Sequence, residues 1–382
     1  MGASSHRFPG AVSRPRFGWR AELDRGALHL RRGDSKAARA CFARAHALAP
    51  DEPEPALALG REEWKLGRLV DAERLLEQAW EARPSWPLAA CALGRVLIER
   101  GEIARAERTL APALAALPDH PALHMVFGEL HLEAGRLAAA HESFVAAGAA
   151  GAERWQVDRG LARVENGRGI ALAAEAPGGG EKLTEAAFAF KRAADLDPAW
   201  APPHVNLGAL FHRLGRPSAA RAAYLRAIAL DPSSGSAHFN LGLLCRDEDD
   251  LAAAERAFVA ALAADPPHPR ARRELALVCA ERGDRARAVA LFEEELRATR
   301  RPDAWVYTQL GVIFIEAGEP SRAEAALRQA LVADPEHPQA LAQLARLLAG
   351  DGRYLEAAAL HRRATEERAR RSGNPAPPAA SK

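Results

Sequence analysis

Residues 204–232 read HVNLGALFHRLGRPSAARAAYLRAIALDP, and residues 238–266 read HFNLGLLCRDEDDLAAAERAFVAALAADP. The second stretch restates the first, with Leu-Gly, Ala, an aromatic residue and Asp-Pro at matching places. In each stretch, apolar residues recur at helical spacing on both sides of a short polar turn. The pattern therefore predicts two packed helices joined by a turn, with a proline that ends the second helix.

The same period, about 34 residues, runs through both halves of the chain. One glycine column lies inside the first helix of each pair, where glycine costs about 1 kcal/mol of helix propensity, so we expect the paired helices to approach each other closely there. A second glycine column lies at the turn, where glycine can adopt the left-handed conformation that ends a helix. The first column comprises Gly26, Gly60, Gly94, Gly128, Gly208, Gly242 and Gly311, and the second includes Gly33, Gly67, Gly135, Gly215, Gly283 and Gly352.

This pattern resembles the tetratricopeptide repeat family, whose motif has Leu-Gly in the first helix, then Ala and an aromatic residue in the second, then Pro. The matching residues are Leu207-Gly208, Ala220, Tyr224 and Pro232, and the resemblance extends from about Trp19 to Arg371. It implies an all-α fold, a right-handed superhelical solenoid of about ten helix-turn-helix repeats with a concave inner groove. It also implies a protein-protein interaction scaffold or adaptor, not an enzyme, with a protein or peptide partner.

The spacing divides the chain into blocks. We predict a disordered tail over 1–18, about four repeats over 19–152, an irregular extended repeat over 153–198, about five repeats with a capping helix over 199–371, and a disordered tail over 372–382. The stretch from Pro118 to Pro198 exceeds two periods by roughly a third of a period. The extra length is expected within 166–181, as a longer first helix and a flexible Gly-rich loop.

Composition narrows the classes of partner and compartment. With 52 basic and 50 acidic residues the formal net charge is +2, which gives no electrostatic attraction to nucleic acid or anionic membranes. No apolar run is long enough to span a bilayer. The start of the chain lacks an apolar signal segment, and four cysteines without a C-x-x-C motif suit a reducing compartment. We therefore expect a cytoplasmic protein of unknown oligomeric state that binds no nucleic acid.

No motif predicts a catalytic or metal site, so no cofactor, catalytic residue or metal is expected. His120 and His124 have the i, i+4 spacing of a metal pair, but His124, His204 and His238 share one repeat position, which favours a packing role. Gly180-Glu181-Lys182 is followed by Leu183, whereas a phosphate loop needs Ser or Thr there, after a strand.

The resemblance places the first helix of each repeat along the groove, so binding residues are sought there. Asn206 and Asn240 precede Leu-Gly in consecutive repeats, and Gln309 and Gln343 occupy the equivalent position in the last two repeats. An amide both donates and accepts hydrogen bonds, so such a row could hold a peptide backbone, as in the similar asparagine ladder of protein O-GlcNAc transferases. The alternative is that the amides cap or bridge adjacent repeats. The other candidate groove residues are His212, Arg246, Arg270, Trp305, Arg61, Trp64 and Arg95.

Three narrower functions follow from the family resemblance. Asn240 and Arg270 could supply two positions of a clamp for chaperone tails, but Val205, Ala209 and Glu274 occupy its other positions, which argues against that ligand. The protein could instead be the non-catalytic component of a glycosyltransferase system of the O-GlcNAc transferase type, or an assembly factor for an envelope or pilus complex.

Overall fold

The computed structural model describes residues 18–176, 180–266 and 268–372. Within these ranges the chain forms twenty helices and no strands. They are α1 Gly18–Arg31, α2 Ser35–Leu48, α3 Pro53–Lys65, α4 Leu69–Ala82, α5 Pro87–Glu99, α6 Ile103–Ala116, α7 Pro121–Glu133, α8 Leu137–Ala149, α9 Arg154–Ala174, α10 Glu181–Leu196, α11 Pro202–Arg213, α12 Pro217–Leu230, α13 Gly235–Asp247, α14 Leu251–Ala264, α15 Pro269–Glu281, α16 Arg285–Thr299, α17 Ala304–Glu316, α18 Pro320–Ala333, α19 Pro338–Gly350 and α20 Tyr354–Ser372.

The described residues fall into two compact units, divided between Pro198 and Ala199. In each unit an odd-numbered helix packs against the even-numbered helix that follows it, which gives five helix pairs per unit. Successive odd-numbered helices also contact one another, for example α5 with α7 and α17 with α19. The side on which they meet is therefore the shorter side of the stack, and we call the surface formed by the odd-numbered helices the inner face. The all-α repeat fold predicted from the sequence is confirmed.

The turns inside the helix pairs form as their glycines predict. Gly33 and Gly215 have φ values of 78° and 65°, a conformation that residues with a Cβ rarely adopt. In the seventh repeat Asp249 takes this place with φ 62°. The residue after the turn often caps the next helix, since the Asp34 and Asp284 carboxylates accept from the backbone N–H groups of α2 and α16. The turn glycine ends one helix and the next residue begins the other.

The mid-helix glycines lie against large side chains of the second helix, at a spacing that is the same in most repeats. A Cβ added to Gly208 would come within 2.4 Å of the Tyr224 ring, and one added to Gly26 within 2.3 Å of the Phe42 ring. The expected close approach of the paired helices is therefore present, and the packed side chain offsets the loss of helix propensity. Ala276 holds this place in the eighth repeat, where Phe292 is still fully buried, so that pair accommodates a methyl group.

The fifth repeat departs from this geometry. Helix α9 has 21 residues, whereas the other odd-numbered helices have 12 to 14. Its Gly160 lies against the Phe144 ring of α8, and its Gly169 lies against the Phe190 ring of α10. These glycines are separated by two and a half turns of a helix with 3.6 residues per turn, which places them on opposite sides. One helix therefore packs closely against both neighbours.

The extra length of the fifth repeat is divided between two places. The spacing from Gly169 to Phe190 is longer than that from Gly208 to Tyr224, and the remainder lies before Gly169, at the start of α9. The prediction that it lies wholly within 166–181 is thus too narrow. Residues 177–179 of the predicted Gly-rich loop lie outside the described residues. So do the predicted tails, except that Gly18 begins α1 and Ser372 ends α20.

The last helix, α20, buries one side and leaves the other charged. Ala357, Leu360 and Ala364 pack into the core with α19, while Arg353 and Glu356 pair across the surface at the start of the helix. A charged outer side of this kind is what a capping helix is expected to show in a repeat array. Across the described ranges, none of the helices combines the length and apolar character needed to cross a bilayer.

Candidate functional site

All eleven residues selected from the sequence lie on odd-numbered helices, the helices that form the inner face of each unit. In the first unit they are Arg61 and Trp64 on α3 and Arg95 on α5. In the second unit they are Asn206 and His212 on α11, Asn240 and Arg246 on α13, Arg270 on α15, Trp305 and Gln309 on α17, and Gln343 on α19.

Several of these residues form polar bridges between successive repeats. The Trp64 indole N–H donates to the carboxylate of Glu99 at 2.6 Å. In the second unit, Nε2 of His212 lies 3.0 Å from Oδ2 of Asp247, at the same separation along the chain. Each bridge links the end of one odd-numbered helix to the end of the next, so these side chains fasten adjacent repeats together.

Two arginines of the inner face are bridged in the same way. Arg95 donates to both carboxylate oxygens of Glu129, at 3.0 and 3.2 Å, across α5 and α7. Arg246 donates to Glu274 on the next odd-numbered helix and lies 3.7 Å from Asp247. Their charges are already matched within the chain, so neither is a free cation for a partner.

Arg270 and Trp305 are held by aromatic contacts. The Arg270 guanidinium lies 5.1 Å from the centre of the Phe239 ring. The guanidinium of Arg273 lies 5.2 Å from the centre of the Trp305 ring, and the Phe292 and Trp305 rings form an edge-to-face pair with their centres 5.9 Å apart. Contacts of this kind are cation–π and edge-to-face interactions, which stabilise the packing of the helices.

The row of amides in the second unit is largely unengaged. Asn240, Gln309 and Gln343 are half-buried, and no side-chain hydrogen bond within the described ranges involves any of them, whereas Asn206 does interact with another residue. The Oε1 atom of Gln343 is buried without a hydrogen-bond donor among the described residues. At the intervening repeat the row carries Glu274, which Arg246 pairs with. The inner face thus has acceptors and donors that the fold does not use.

A concave site in the first unit was missed from the sequence. A cavity of about 410 Å³ lies on its inner face, between α5, α7 and the first half of α9. Of its lining, Arg95 is one of the eleven selected residues, and Met125 and Glu129 of α7 are further groove positions that the repeat register indicates. The α9 residues were not selected because they come before the part of α9 that aligns with the other repeats. Trp155, Arg159 and Arg163 nevertheless have an i, i+4, i+8 spacing that places them along one side of a helix. The lining residues are Arg95, Ala122, Met125, Glu129, Phe144, Trp155, Gln156, Arg159, Gly160 and Arg163.

The histidines serve the repeat architecture. Nδ1 of His268 and of His337 accepts a backbone N–H at the start of α15 and α19, at 3.1 and 3.2 Å. Nε2 of His124 and of His238 donates to the carbonyl of the proline that precedes the helix. No group of three potential metal-binding side chains occurs in the described part of the chain. These contacts agree with the packing role inferred from the repeat position.

Two family models described as Tetratricopeptide repeat match the sequence, one over 63–126 and the other over 23–87, 205–266, 246–304 and 308–375, and the latter ranges alone exceed half of the chain. A tetratricopeptide repeat protein from Parabacteroides merdae has a similar structure, with TM-score 0.50, 15% identity, and coverage of 68% of this chain and 98% of that one. An IFIT1 monomeric mutant with Gppp-AAAA has TM-score 0.51 and 16% identity, covering 82% of this chain and 71% of that one. No protein with a curated description matches the sequence.

Proposed function

Since the chain belongs to the tetratricopeptide repeat family, we propose that it is a non-catalytic scaffold whose second unit binds an extended peptide segment of a partner protein on its inner face. The observation that carries this proposal is the set of unengaged amides, Asn240, Gln309 and Gln343. They stand at one repeat position on successive or nearby odd-numbered helices.

The chemistry of the amides suits a peptide backbone. Each side chain can donate to a backbone carbonyl and accept from a backbone N–H. The buried Oε1 of Gln343 gives a further reason, because a buried acceptor without a partner costs about 1–3 kcal/mol, which a bound N–H group would recover. Recognition of this kind reads the backbone, so it makes few demands on the partner's sequence.

The test uses the full-length chain and an array of random twelve-residue peptides. Peptides that bind the wild type are measured again with the variant Asn240→Ala/Gln343→Ala and with the matched control Gln329→Ala, an exposed amide on even-numbered α18. We expect the double variant to lose about tenfold or more in affinity, whereas the control retains it. N-methylation of the bound peptide at contacted positions should weaken binding similarly. Equal peptide affinity of the wild type and the double variant would refute the proposal that the amide row binds the peptide.

The compartment, the classes of ligand that are not bound and the biological system remain predictions. The cytoplasmic location, the expected lack of nucleic-acid binding, and roles in a glycosyltransferase system or in envelope or pilus assembly stay predictions for experiment.

A further inference from the structure

The cavity of the first unit has an unusual wall. Helix α9 begins well before the register of its repeat and supplies Trp155, Gln156, Arg159 and Arg163. Gly160 allows this part of the helix to lie against the Phe144 ring, since a Cβ there would come within 2.6 Å of the ring atoms. The first turns of α9 are thereby held beside α7 and close one side of the cavity.

The charges of the cavity do not balance. Arg95 is matched by Glu129 through two hydrogen bonds. Arg163 has no ion pair among the described residues, and the Arg159 guanidinium comes only within 4.0 Å of a carboxylate, that of Asp197. Two cations on one side of α9 therefore face the cavity with little compensation, and both side chains are exposed enough to meet a ligand.

The cavity also has an apolar surface that the chain leaves uncovered. Trp155 is 61% exposed although an indole buries a large apolar area when it is covered. Its neighbours in the lining include Ala122, Met125 and the Phe144 ring. The volume of about 410 Å³ is at the small end of the range for ligand sites. It suits one large side chain of a longer ligand.

We propose that this cavity binds an acidic peptide segment in which an apolar or aromatic side chain is flanked by carboxylates. The apolar side chain packs against Trp155 and Met125, and the carboxylates pair with Arg159 and Arg163, whose planar guanidinium groups can form two parallel hydrogen bonds with a carboxylate. The site lies in the first unit, so it is separate from the amide row of the second and does not depend on it.

The charge pattern favours an acidic peptide from another protein. Residues 1–17 contain Arg7, Arg14 and Arg16 and no acidic residue, and residues 373–382 contain no acidic residue either, so these ends of the chain lack the required carboxylates. Glu129 on the cavity wall opposes a dense polyanion such as nucleic acid, while leaving two cations for isolated carboxylates. An acidic peptide with a few carboxylates therefore matches the number and signs of these charges better than a phosphate backbone does.

The experiment measures fluorescence anisotropy of labelled peptides with the full-length protein. The probe is Asp-Glu-Trp-Glu-Asp, compared with its neutral counterpart Asn-Gln-Trp-Gln-Asn and with Asp-Glu-Ala-Glu-Asp. We expect the probe to bind at least about tenfold more tightly than either comparison peptide, because the first lacks the charges and the second lacks the ring. Its affinity should also fall with added salt.

Variants locate the binding. Trp155→Ala and Arg159→Ala/Arg163→Ala are each expected to weaken the probe about tenfold or more, whereas Arg168→Ala, an exposed arginine of α9 outside the cavity lining, should not. All replaced side chains are exposed, so unchanged thermal melting would show intact folding. Asn240→Ala/Gln343→Ala should leave probe binding unchanged, which separates this proposal from that for the second unit.

Three results would overturn the acidic-peptide proposal. One is equal binding of the acidic probe and its neutral counterpart. The second is undiminished binding by the folded cavity variants. The third is tighter binding of a five-nucleotide single-stranded RNA than of the acidic probe, with the same dependence on Arg159 and Arg163, which would assign the cavity to nucleic acid.

Discussion

Arg95 and Glu129 occupy the same position in two successive repeats, and the guanidinium of the first donates to both carboxylate oxygens of the second. Their side chains are 39% and 28% exposed. A pair that meets solvent to this extent contributes little to folding, about 1 kcal/mol or less. Its larger effect is on the charge of the adjoining cavity, where the carboxylate cancels one of three arginines.

Glu129→Gln is therefore expected to strengthen binding of an acidic peptide while changing stability only slightly. The substitution keeps the shape of the side chain and releases the charge of Arg95 toward the cavity. Anisotropy titration with the acidic probe should give an affinity gain of about threefold to tenfold. The free energy of unfolding measured in urea should change by about 1 kcal/mol or less. Weaker binding by this variant would show that Glu129 takes part in holding the ligand.

Gly208→Ala is expected to destabilise the protein by about 1–3 kcal/mol, because the new methyl group would overlap the Tyr224 ring and force the helices of the sixth repeat apart. The matched control is Gly350→Ala, since an added Cβ there meets nothing within 4 Å. Its stability should be unchanged or higher, because alanine is the better helix former. Urea denaturation followed by circular dichroism compares the two, and equal midpoints would contradict the close-approach explanation.

Tyr224→Phe is expected to stabilise the second unit. The Tyr224 hydroxyl is buried without a hydrogen-bond partner among the described residues, and burial raises its pKa to about 12. Phenylalanine stands at the matching place in the seventh and eighth repeats, as Phe258 and Phe292. Removing an unsatisfied buried hydroxyl should raise the unfolding free energy by about 1 kcal/mol, seen as a higher urea midpoint. A loss of stability would indicate a hydrogen bond that the hydroxyl makes in solution.

Acidification is expected to destabilise the protein as the pH falls through and below about 6.5. Burial lowers the pKa of His46, His131, His204 and His337 in the folded chain. Nearby arginines add to the effect, and carboxylates near His131 and His337 partly oppose it. Their stabilising contribution is complete above the unfolded pKa and is lost as the pH falls, because the unfolded chain binds the protons more readily. Urea midpoints at pH 7.5 and 5.5 test this expectation.

The variant His131→Gln/His204→Gln should flatten that pH dependence, since glutamine carries no proton to take up. Carboxylates affect stability at lower pH than the histidines do. Hydrogen bonds from Arg328 and Arg353 lower the pKa of Glu324, so the stabilising contribution of this carboxylate is lost only near and below pH 4.5. A midpoint that is the same at pH 7.5 and 5.5 in the wild type would contradict the role of the histidines.

Cys91 is expected to react slowly with iodoacetamide at pH 8. Burial raises the pKa of its thiol to about 11, although Arg95 opposes the shift, so only about one thiol in a thousand is ionised at that pH. The rate should keep rising toward about pH 11, whereas a free thiol, with a pKa of about 8.5, is largely ionised by about pH 10. Mass spectrometry of the labelled peptide measures it, and alkylation at the rate of N-acetylcysteine would contradict the burial.

Much of the fold was predictable because it follows from repeated local chemistry. The spacing from Gly208 to Tyr224 recurs in other repeats, as between Gly242 and Phe258, so one packing rule fixes most helix pairs. The candidate face was predictable for the same reason, since a repeat position determines which side of its helix a residue occupies.

Long-range partners were less predictable. Trp64 and His212 fit the groove position, but no pattern in the chain indicated their bridges to Glu99 and Asp247. A repeat position fixes the side of a helix, whereas a bridge also depends on how far the next repeat is rotated, and the period does not encode that rotation.

The cavity of the first unit was not predictable from the period. Trp155 and Arg159 precede the register, and repeat comparison assigns meaning only to residues that have equivalents in other repeats. Their position depends on Gly160 meeting Phe144, a contact between residues of different repeats. The four-residue spacing of Trp155, Arg159 and Arg163 was visible, but without the length of α9 nothing distinguished it from an ordinary solvated helix surface.

Helix α9, with one glycine against Phe144 and another against Phe190, has a consequence for how the first unit opens. In a linear array each interface between neighbours is a place where partial unfolding can stop. A single long helix that packs tightly on both sides cannot detach from one neighbour without strain on the other. Conditions or variants that change amide hydrogen exchange in α8 should therefore change it in α10 in the same direction. Helices α8, α9 and α10 are expected to unfold as one cooperative unit.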